Sequence, residues 1–501
     1  MTASSCVTRR HFARWWLTAA LLLLSNAARA TPWLEAGDNG LRSDVELLAS
    51  HGLINALVTS WPLPAGQFSA LDDTQRLANE PLFIQQAAAR VRAALQRSDL
   101  DPQLNVRGTS HPAVVRSFQT TARADVDVWG QALAIAGPVD GQLRVGLRAD
   151  GDLHHSDVVL DGSYLTTHFG NALVYGGWID EWNGPGWISS LILSNNARPF
   201  PKVGIKRDDP HAFETRWLHW LGPWQADFFV GLLDDKERLD DNTAFGNLRL
   251  SINPLHGLEI AVQRSVEFCG HGHQCNPVNA AFHLYNDDRR QNSTNEEATI
   301  ELQYRGRIGA LSFSPYFQMM NEDTGPFTHA YTSYLSGLSL VGTRGANGDL
   351  WRVVFEFADS VATINAFDFS ESFHGIAYGN AGYPDGFRYH DRTLGFSLDS
   401  DSKLVTMQLM FQHHDGWRLT LAVHRAMVST PQLAQIQAAG DPRALHNVVS
   451  AVPLRFSEID TRVSLPWGPL RGYLAMRVRN QALPNHLGGH VDGEAGLSWQ
   501  F

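Results

Sequence analysis

The side chains best suited to chemistry are concentrated in one segment, residues 178–201, which reads WIDEWNGPGWISSLILSNNARPFP. Tryptophan rings stack on the apolar face of a sugar ring, and carboxylate, amide and guanidinium groups hydrogen-bond its hydroxyls. The segment therefore indicates a carbohydrate-binding surface. The candidate ligand contacts are Trp178, Asp180, Glu181, Trp182, Trp187, Asn195, Asn196 and Arg198.

The same segment also supports a purely structural interpretation. The Gly184-Pro185-Gly186 run demands an unusual backbone conformation, which the tryptophans would wedge in place. Arg198 would then form an ion pair with Asp180 or Glu181. In this interpretation, which we favour over ligand contact, the segment is an occluding constriction, and from sequence both alternatives remain open.

Two cysteines, Cys269 and Cys275, close a short glycine-rich loop with the sequence CGHGHQC. In an exported protein such a pair predicts a disulfide. A metal site completed by His271 and His273 is the alternative, but so short a stretch rarely supplies four ligands.

Other potential metal ligands lack a suitable arrangement. The pairs His154-His155 and His413-His414 lie in or beside expected strands, where adjacent side chains point to opposite faces, so neither pair is expected to chelate. Asp287 and Asp288 lie in a hydrophilic loop that does not supply a complete calcium-ligand set. We therefore predict no metal site and no cofactor.

The sequence also lacks the common hydrolase motifs G-x-S-x-G and H-E-x-x-H. A glycosidase-like pair of carboxylates has no positive support, although acidic residues are abundant. The net charge of −11 argues against nucleic acid as a partner. We predict a protein that is not an enzyme.

The N-terminal region has two parts. Residues 1–30 are predicted to be a signal peptide, because arginines precede an apolar run and Ala28-Arg29-Ala30 has the form of a cleavage site. Residues 31–112 are predicted to form a small periplasmic helical bundle that acts as a plug or cap. A capping box runs from Ser43 to Glu46, and Pro81 suits the first turn of a later helix.

From residue 113 to residue 501 the hydrophobic period changes to two, which is typical of β-strands. Ile300, Leu302 and Tyr304, for example, alternate with polar residues. The polar faces carry charges of both signs, which suit a wet, ion-paired lumen and are costly on a lipid face. These charges are Asp125, Asp127, Arg144, Arg148, Glu301, Arg305, Asp460, Arg462, Arg477 and Arg479.

Three further features favour an outer-membrane barrel over a sandwich of sheets. The last alternating stretch ends on Phe501, which resembles the assembly signal of such barrels. Tight turns alternate with long connections, and a girdle of aromatic residues is indicated by Trp217, Trp220, Trp224, Trp417, Trp467 and Trp499. We predict an all-β transmembrane barrel of about 18 antiparallel strands with a small N-terminal α-helical bundle.

Residues 178–201, with the preceding DGSYLTTHFGNALVYGG, resemble the Wzi-type family of capsule assembly outer-membrane proteins. The stretches DNGLRSDVELLASHGLI, WPLP and FRYHDRTLGFSLDSDS are also similar, while Asn183 stands where the family has a second tryptophan. The resemblance implies a barrel with a periplasmic helical bundle in the outer membrane of a Gram-negative cell. It also implies a lectin-like, non-catalytic role in binding and attaching a capsule or exopolysaccharide.

Two functions from different classes are therefore expected. The first is attachment of a surface polysaccharide by a monomer embedded in outer-membrane lipid, with contact to a polysaccharide export partner left open. The second is a porin-like channel for sugars or small solutes, since a barrel of about 18 strands is wide enough for water. A blocked lumen would favour the first. A third possibility, a barrel enzyme acting on lipid or glycan, has no residue set to support it.

Overall fold

The computed structural model describes residues 29–55, 57–97, 101–136, 138–150, 155–273, 275, 278, 294–322, 331–345, 347–380, 382–440, 446–484 and 487–501. Nearly all of the expected signal peptide lies outside these ranges, as do His154, Asp287 and Asp288. The expectations for those residues therefore stay predictions.

One antiparallel sheet closes on itself as a barrel of 18 strands. The ring closes where the last strand pairs with the first, with Gly496 opposite Arg107. The strands are β1 (Gln103–Thr109), β2 (Val126–Ala136), β3 (Val139–Asp150), β4 (His155–Val159 and Tyr164–Phe169), β5 (Ala172–Trp178), β6 (Pro201–Arg207), β7 (Trp224–Leu233), β8 (Thr243–Leu255), β9 (Leu258–Phe268), β10 (Thr294–Tyr304 and Gly306–Ile308), β11 (Leu311–Glu322), β12 (Tyr331–Arg344), β13 (Asp349–Asn365), β14 (Lys403–Gln412), β15 (Arg418–Val428), β16 (Leu454–Trp467), β17 (Leu470–Arg479) and β18 (Val491–Gln500).

The remaining regular elements are short. A further strand, Asp368–Phe373, pairs with the end of β13 as a hairpin. The α-helices are α1 (Asn39–Ser50), α2 (Thr74–Ala78), α3 (Leu82–Leu95) and α4 (Pro431–Ala438), and the 3₁₀ helices are Ala65–Asp72 and His219–Leu221. Two-residue strands occur at Arg29–Ala30, Trp33–Leu34, Ser60–Trp61, Leu63–Pro64, Gln96–Arg97, Trp182–Asn183, Arg388–Tyr389 and Arg392–Thr393. Among the described residues, no helix is long and apolar enough to cross a membrane.

Two boundaries differ from the sequence prediction. The barrel begins at Gln103 rather than at residue 113, because β1 supplies the edge to which the C-terminal strand pairs. Helix α1 begins at Asn39 rather than after Ser43, because the carboxylate of Asp38 accepts hydrogen bonds from the N–H groups of Gly40 and Leu41. The start of α3 at Leu82, directly after Pro81, agrees with the prediction.

The strand faces follow the predicted alternation. Leu302 and Tyr304 on β10 are exposed on the outside of the barrel, whereas Glu301 and Arg305 on either side of this pair are buried in the lumen. The lumen charges are paired: Arg249 lies 2.6 Å from Glu301, and Arg305 lies 2.7 Å from Glu259. A closed barrel whose outside is apolar and whose inside is ionic is the arrangement that lipid requires.

The two ends of the barrel differ. At one end the strands are joined mainly by tight turns. The connection from β6 to β7, residues 208–223, is an exception, because it is longer than a tight turn. At the other end the connections are long. The predicted girdle tryptophans all lie at or beside the short-turn end, and Trp217 is 87% exposed.

Several segments fill the interior, including residues 110–125 between β1 and β2. The N-terminal region around α1 and α3, called the plug below (residues 31–97), enters through the short-turn end, where Gln86 contacts Asn347 and Gly66 contacts Asp208. Residues 179–200 and 374–402 enter from the long-loop end and share one apolar core with residues of the barrel wall. A second apolar cluster joins the plug to Trp182 of the internal segment.

Candidate glycan-binding mouth and occluded lumen

The two tryptophans at the centre of the 178–201 segment are packing residues. Trp182 is fully buried, donates a 3.0 Å hydrogen bond from Nε1 to the carbonyl of Gly186, and meets the Phe118 ring edge-on. Trp187 is fully buried between the guanidinium groups of Arg42 and Arg352, whose Cζ atoms lie 4.4 and 4.5 Å from its ring centroid. No ring face of either is available to a sugar.

The Gly-Pro-Gly turn between these tryptophans is held from two sides. Arg42 of α1 donates hydrogen bonds of 2.7 Å to the carbonyls of both Pro185 and Gly186. From the barrel wall, Glu356 of β13 accepts the N–H groups of Trp187 and Ile188. A side chain at Gly186 would place its Cβ 2.1 Å from the carbonyl oxygen of Ser189, so only glycine fits.

The side-chain amides of Asn195 and Asn196 also form hydrogen bonds that stabilise the fold. Asn195 donates a 2.8 Å hydrogen bond to the carbonyl of Phe118, and Asn196 donates a 2.9 Å hydrogen bond to the carbonyl of Thr393. Glu181 lies 3.2 Å from the ammonium group of Lys202 at the start of β6. Trp178 is separate from this set, because the register of β5 places it with the outward-facing residues.

The sequence suggested that Arg198 pairs with Asp180 or Glu181, but in the structure it pairs with neither. Its Nη2 lies 3.2 Å from Asp161 and its Nη1 lies 3.8 Å from Asp157, both of which belong to β4 or its internal break. Asp180 instead binds Arg123 at 2.7 Å. Partners so distant in sequence become neighbours only through closure of the barrel.

Asp161 is the centre of an ionic network. It lies within 3.4 Å of Arg123, 3.1 Å of Arg148 and 3.2 Å of Arg198. One carboxylate therefore neutralises part of three guanidinium groups.

Two further arginines beside this network have no acidic partner. Arg116 donates 2.7 Å and 3.1 Å hydrogen bonds to the backbone carbonyls of Asn196 and Ala113. Among the described residues, neither Arg116 nor Arg392 has a carboxylate within ion-pair distance. Burial and the charge of Arg392 lower the pKa of Arg116 far below its ordinary value. The carboxylates of Asp127, Asp157, Asp161 and Asp180 are already bound to Arg123, Arg148 and Arg198, so an incoming anion would give Arg392 an acidic partner.

Arg392 lies next to solvent at the long-loop end, whereas Arg116 is buried. Arg392 closes a hairpin whose tip, His390 and Asp391, is exposed, and His390 donates its backbone N–H to Asp235 in the β7–β8 loop. Asp157, which contacts Arg198, has a side chain that is 61% exposed. We call Asp157, Arg198, His390, Asp391 and Arg392 the outer-mouth group.

A cavity of about 920 Å³ lies on the other side of the network, between the plug and the wall formed by β1–β4 and β15–β18. It extends from Gln103 and Gln500 at the short-turn end to Arg123, Asp161 and Asp180. Because the internal segment from residue 179 forms its far boundary, the cavity is a pocket of the short-turn end.

The two cysteines are bonded to each other in the structure, at the long-loop end of β9. Of the two nearby histidines, His273 stacks on Tyr383 and lies 3.1 Å from Asp240, while His271 is exposed. The sulfur atoms are therefore not available as ligands for a metal site with these histidines.

A family model described as "Capsule assembly protein Wzi" matches residues 77–468. The chain belongs to the Wzi family of capsule assembly proteins. The solved structure of Escherichia coli Wzi, described as an outer-membrane protein involved in group 1 capsule assembly and a carbohydrate-binding β-barrel, matches with a TM-score of 0.78. It is 21% identical to this chain and covers 94% of this chain and 99% of its own.

A Klebsiella pneumoniae relative described as "Uncharacterized 55.8 kDa protein in cps region" is 27% identical over 277 residues. That alignment covers 54% of this chain and 53% of the relative, so the chain spans about half the length of this curated relative.

Membership of the Wzi family fixes the orientation of the barrel. The chain is an outer-membrane protein, so the short-turn end with the plug faces the periplasm and the long-loop end faces the cell surface. The outer-mouth group therefore lies on the extracellular side, and the 920 Å³ cavity on the periplasmic side.

Sequence reasoning found the segment that closes the lumen but missed Arg116, Arg392 and Asp161. Arg116 lies in no motif that the sequence analysis singled out. Asp161 and Arg392 lie in the DGSYLTTHFGNALVYGG and FRYHDRTLGF stretches that carry the family resemblance, and this was the available signal for them.

Proposed function

We propose that this Wzi-family barrel binds an acidic polysaccharide at its outer mouth and holds it on the cell surface, without catalysis. One observation carries the proposal: Arg392, which has no carboxylate within ion-pair distance among the described residues, lies beside solvent at the extracellular end of a barrel that internal segments close. The description of Escherichia coli Wzi as a carbohydrate-binding barrel supports the same class of ligand.

The ligand is expected to carry carboxylates, because a guanidinium group binds a carboxylate through charge-assisted and often bidentate hydrogen bonds. Asp157 and Asp391 in the same group are suitable acceptors for sugar hydroxyls. We further propose that the protein acts as a monomer and that any contact with an export partner is made by the plug, on the periplasmic side.

The test is binding of the host's acidic surface polysaccharide to the purified protein in detergent. Substituting Arg392→Gln should weaken binding about tenfold, the equivalent of about 1.4 kcal/mol. Arg455→Gln is the matched control, since Arg455 is exposed at the same end but lies at the start of β16, outside the outer-mouth group. Reducing the carboxylates of the polysaccharide should remove the difference between the wild type and Arg392→Gln. Equal binding of the polysaccharide by Arg392→Gln and Arg455→Gln would contradict the proposal.

The porin-like alternative predicts a continuous path through the lumen. The internal segment 179–200 and the plug share buried contacts, for example Arg42 with Gly186 and Thr59 with Gly184. This packing favours occlusion over transport.

A further inference from the structure

Two histidines and two aspartates converge at the periplasmic rim, away from the proposed glycan site. His413, His414 and Asp415 form the turn after β14, and Asp349 is the first residue of the neighbouring β13. The expectation that the histidines point to opposite faces is wrong, because β14 ends at Gln412 and the turn rotates both rings to one side. Their ring centroids are only 3.9 Å apart.

The donor atoms have the spacing of a metal-ligand set. One ligand atom each from Asp349, His413 and His414 lie within 4.8 Å of one another. Asp349 Oδ1 is 2.8 Å from His414 Nδ1 and 3.9 Å from His413 Nε2. Ligands of a tetrahedral Zn²⁺ ion are about 3.3 Å apart when the metal–ligand bonds are about 2.0–2.1 Å. Both distances to Asp349 are within about 0.6 Å of this spacing, and the two histidine nitrogens lie within 4.8 Å of each other.

A second carboxylate faces the opposite nitrogen of each ring. Asp415 Oδ2 lies 3.4 Å from His413 Nδ1, and Asp415 Oδ1 lies 3.4 Å from His414 Nε2. Each imidazole thus has one nitrogen near Asp349 and the other near Asp415. His413 Nδ1 accepts the backbone N–H of Asp415 at 3.3 Å, so binding a metal through Nε2 requires Nδ1 to exchange this contact for the Asp415 carboxylate. Histidines that bind metals commonly donate their second ring N–H to such a carboxylate, which fixes the tautomer and the ring orientation.

We propose that Asp349, His413 and His414 bind a divalent transition-metal ion, Zn²⁺ being the best fit, with Asp415 orienting both imidazoles and water in the fourth position. The site is accessible from solvent, since the ligand side chains are 18%, 23% and 30% exposed. Two imidazoles and one carboxylate suit Zn²⁺, whereas Mg²⁺ prefers an all-oxygen octahedron.

The metal would join two adjacent rim turns at the place where the plug docks. Gln86 of α3 donates a hydrogen bond to the carbonyl of Asn347, two residues before Asp349. On the other side of the site, Arg418 forms an ion pair with Asp38, which caps α1. Bound Zn²⁺ is therefore expected to stabilise the rim that holds the plug.

The alternative is a turn closed by hydrogen bonds alone. His414 donates its backbone N–H to Asp349 Oδ1 at 3.0 Å, and the His413 ring stacks on Trp417. This arrangement accounts for the contacts of His414 with Asp349 but not for the shared orientation of both rings between two carboxylates.

The experiment is calorimetric titration of the full-length purified protein, metal-free and without an affinity tag, with Zn²⁺ alone and with Mg²⁺ alone. The wild type should bind about one Zn²⁺ per chain and no Mg²⁺. The double variant His413→Ala/His414→Ala should lose this binding, and Asp415→Asn, which keeps all three ligands, should weaken it at least about tenfold. His211→Ala is the control, because His211 is an exposed histidine at the same end outside the cluster.

Folding of each variant is checked by heat-modifiable electrophoretic mobility, and the melting temperature is measured with and without Zn²⁺. Zn²⁺ should raise the melting temperature of the wild type and of His211→Ala but not of the double variant. No saturable Zn²⁺ binding by the wild type, or equal binding by folded wild type and folded double variant, would overturn the proposal.

Discussion

At the residue scale, the lumen is held together by buried arginines, and Arg42 has the most diverse contacts of these. Its guanidinium group pairs with Glu46 at 3.0 Å, donates to two carbonyls of the Gly-Pro-Gly turn, and lies over the rings of Phe118 and Trp187. One side chain therefore joins the plug to the segment that closes the barrel.

Replacing Arg42 with methionine should destabilise the protein by about 3–5 kcal/mol, because two carbonyls lose their buried donor and Glu46 keeps only Arg352. The measurement is chemical denaturation in detergent, followed by electrophoretic mobility and tryptophan fluorescence. Arg92→Met on α3 is the control, since Arg92 forms no ion pair among the described residues. Equal stability of the two variants would show that Arg42 does not link the plug to the turn.

The sequence predicted which charged residues face the lumen, but not which residues they pair with there. The charged residues of the strands were identified as lumen residues because their period of two separates them from apolar neighbours. The pairing of Arg198 with Asp161 was missed, since it depends on the internal break of β4, which no local pattern marks. The orientation of His413 and His414 was missed because it depends on the last residue of β14.

At the element scale, one contact between the plug and the barrel rim depends on pH. His51, directly after α1, contacts Arg307 on the rim, with 2.7 Å between His51 Nδ1 and Arg307 Nη1. Burial and the neighbouring positive charge lower the pKa of His51 from 6.5 to about 4. In the undocked plug His51 would regain its ordinary pKa, so protonation favours undocking.

The pKa of His51 is lower in the docked plug than in the undocked plug. The stability that docking of the neutral imidazole contributes is therefore complete above about pH 6.5 and is lost as the pH falls towards about 4. The wild type should therefore lose thermal stability between about pH 7.5 and about pH 5, and His51→Gln should lose less. His211→Gln is the control, since that exposed histidine lies outside the plug contact. An unchanged pH dependence in His51→Gln would contradict the assignment to His51.

Long periodic elements were the most predictable. The alternation along β10, β13, β14 and β18 indicated both faces correctly, and Pro81 marked the start of α3. Strand β1 was missed because it is short and directly follows the helical region. Long connections were predicted between the tight turns, but residues 374–402 of one such connection are buried inside the barrel. The apolar residues of this segment, such as Tyr378 and Phe396, belong to the internal core, and its polar groups are paired within the lumen, as Arg388 is with Asp399.

At the scale of the whole molecule, the barrel is a closed support for a binding surface. The filled lumen predicts that the wild type in planar bilayers gives no steady open-channel current. Deletion of residues 31–97 removes the plug from the lumen and should produce measurable conductance, which serves as the positive control. Steady currents of porin size from the wild type would favour transport over binding.

The central claim, that this Wzi-family protein holds an acidic polysaccharide on the cell, is tested most directly in the host. The quantity to measure is the ratio of cell-attached to shed polysaccharide in a deletion strain complemented with the wild type, Arg392→Gln or Arg455→Gln. The attached fraction should fall on deletion, return with the wild type and with Arg455→Gln, and return only partly with Arg392→Gln. An attached fraction that does not change on deletion would contradict the account.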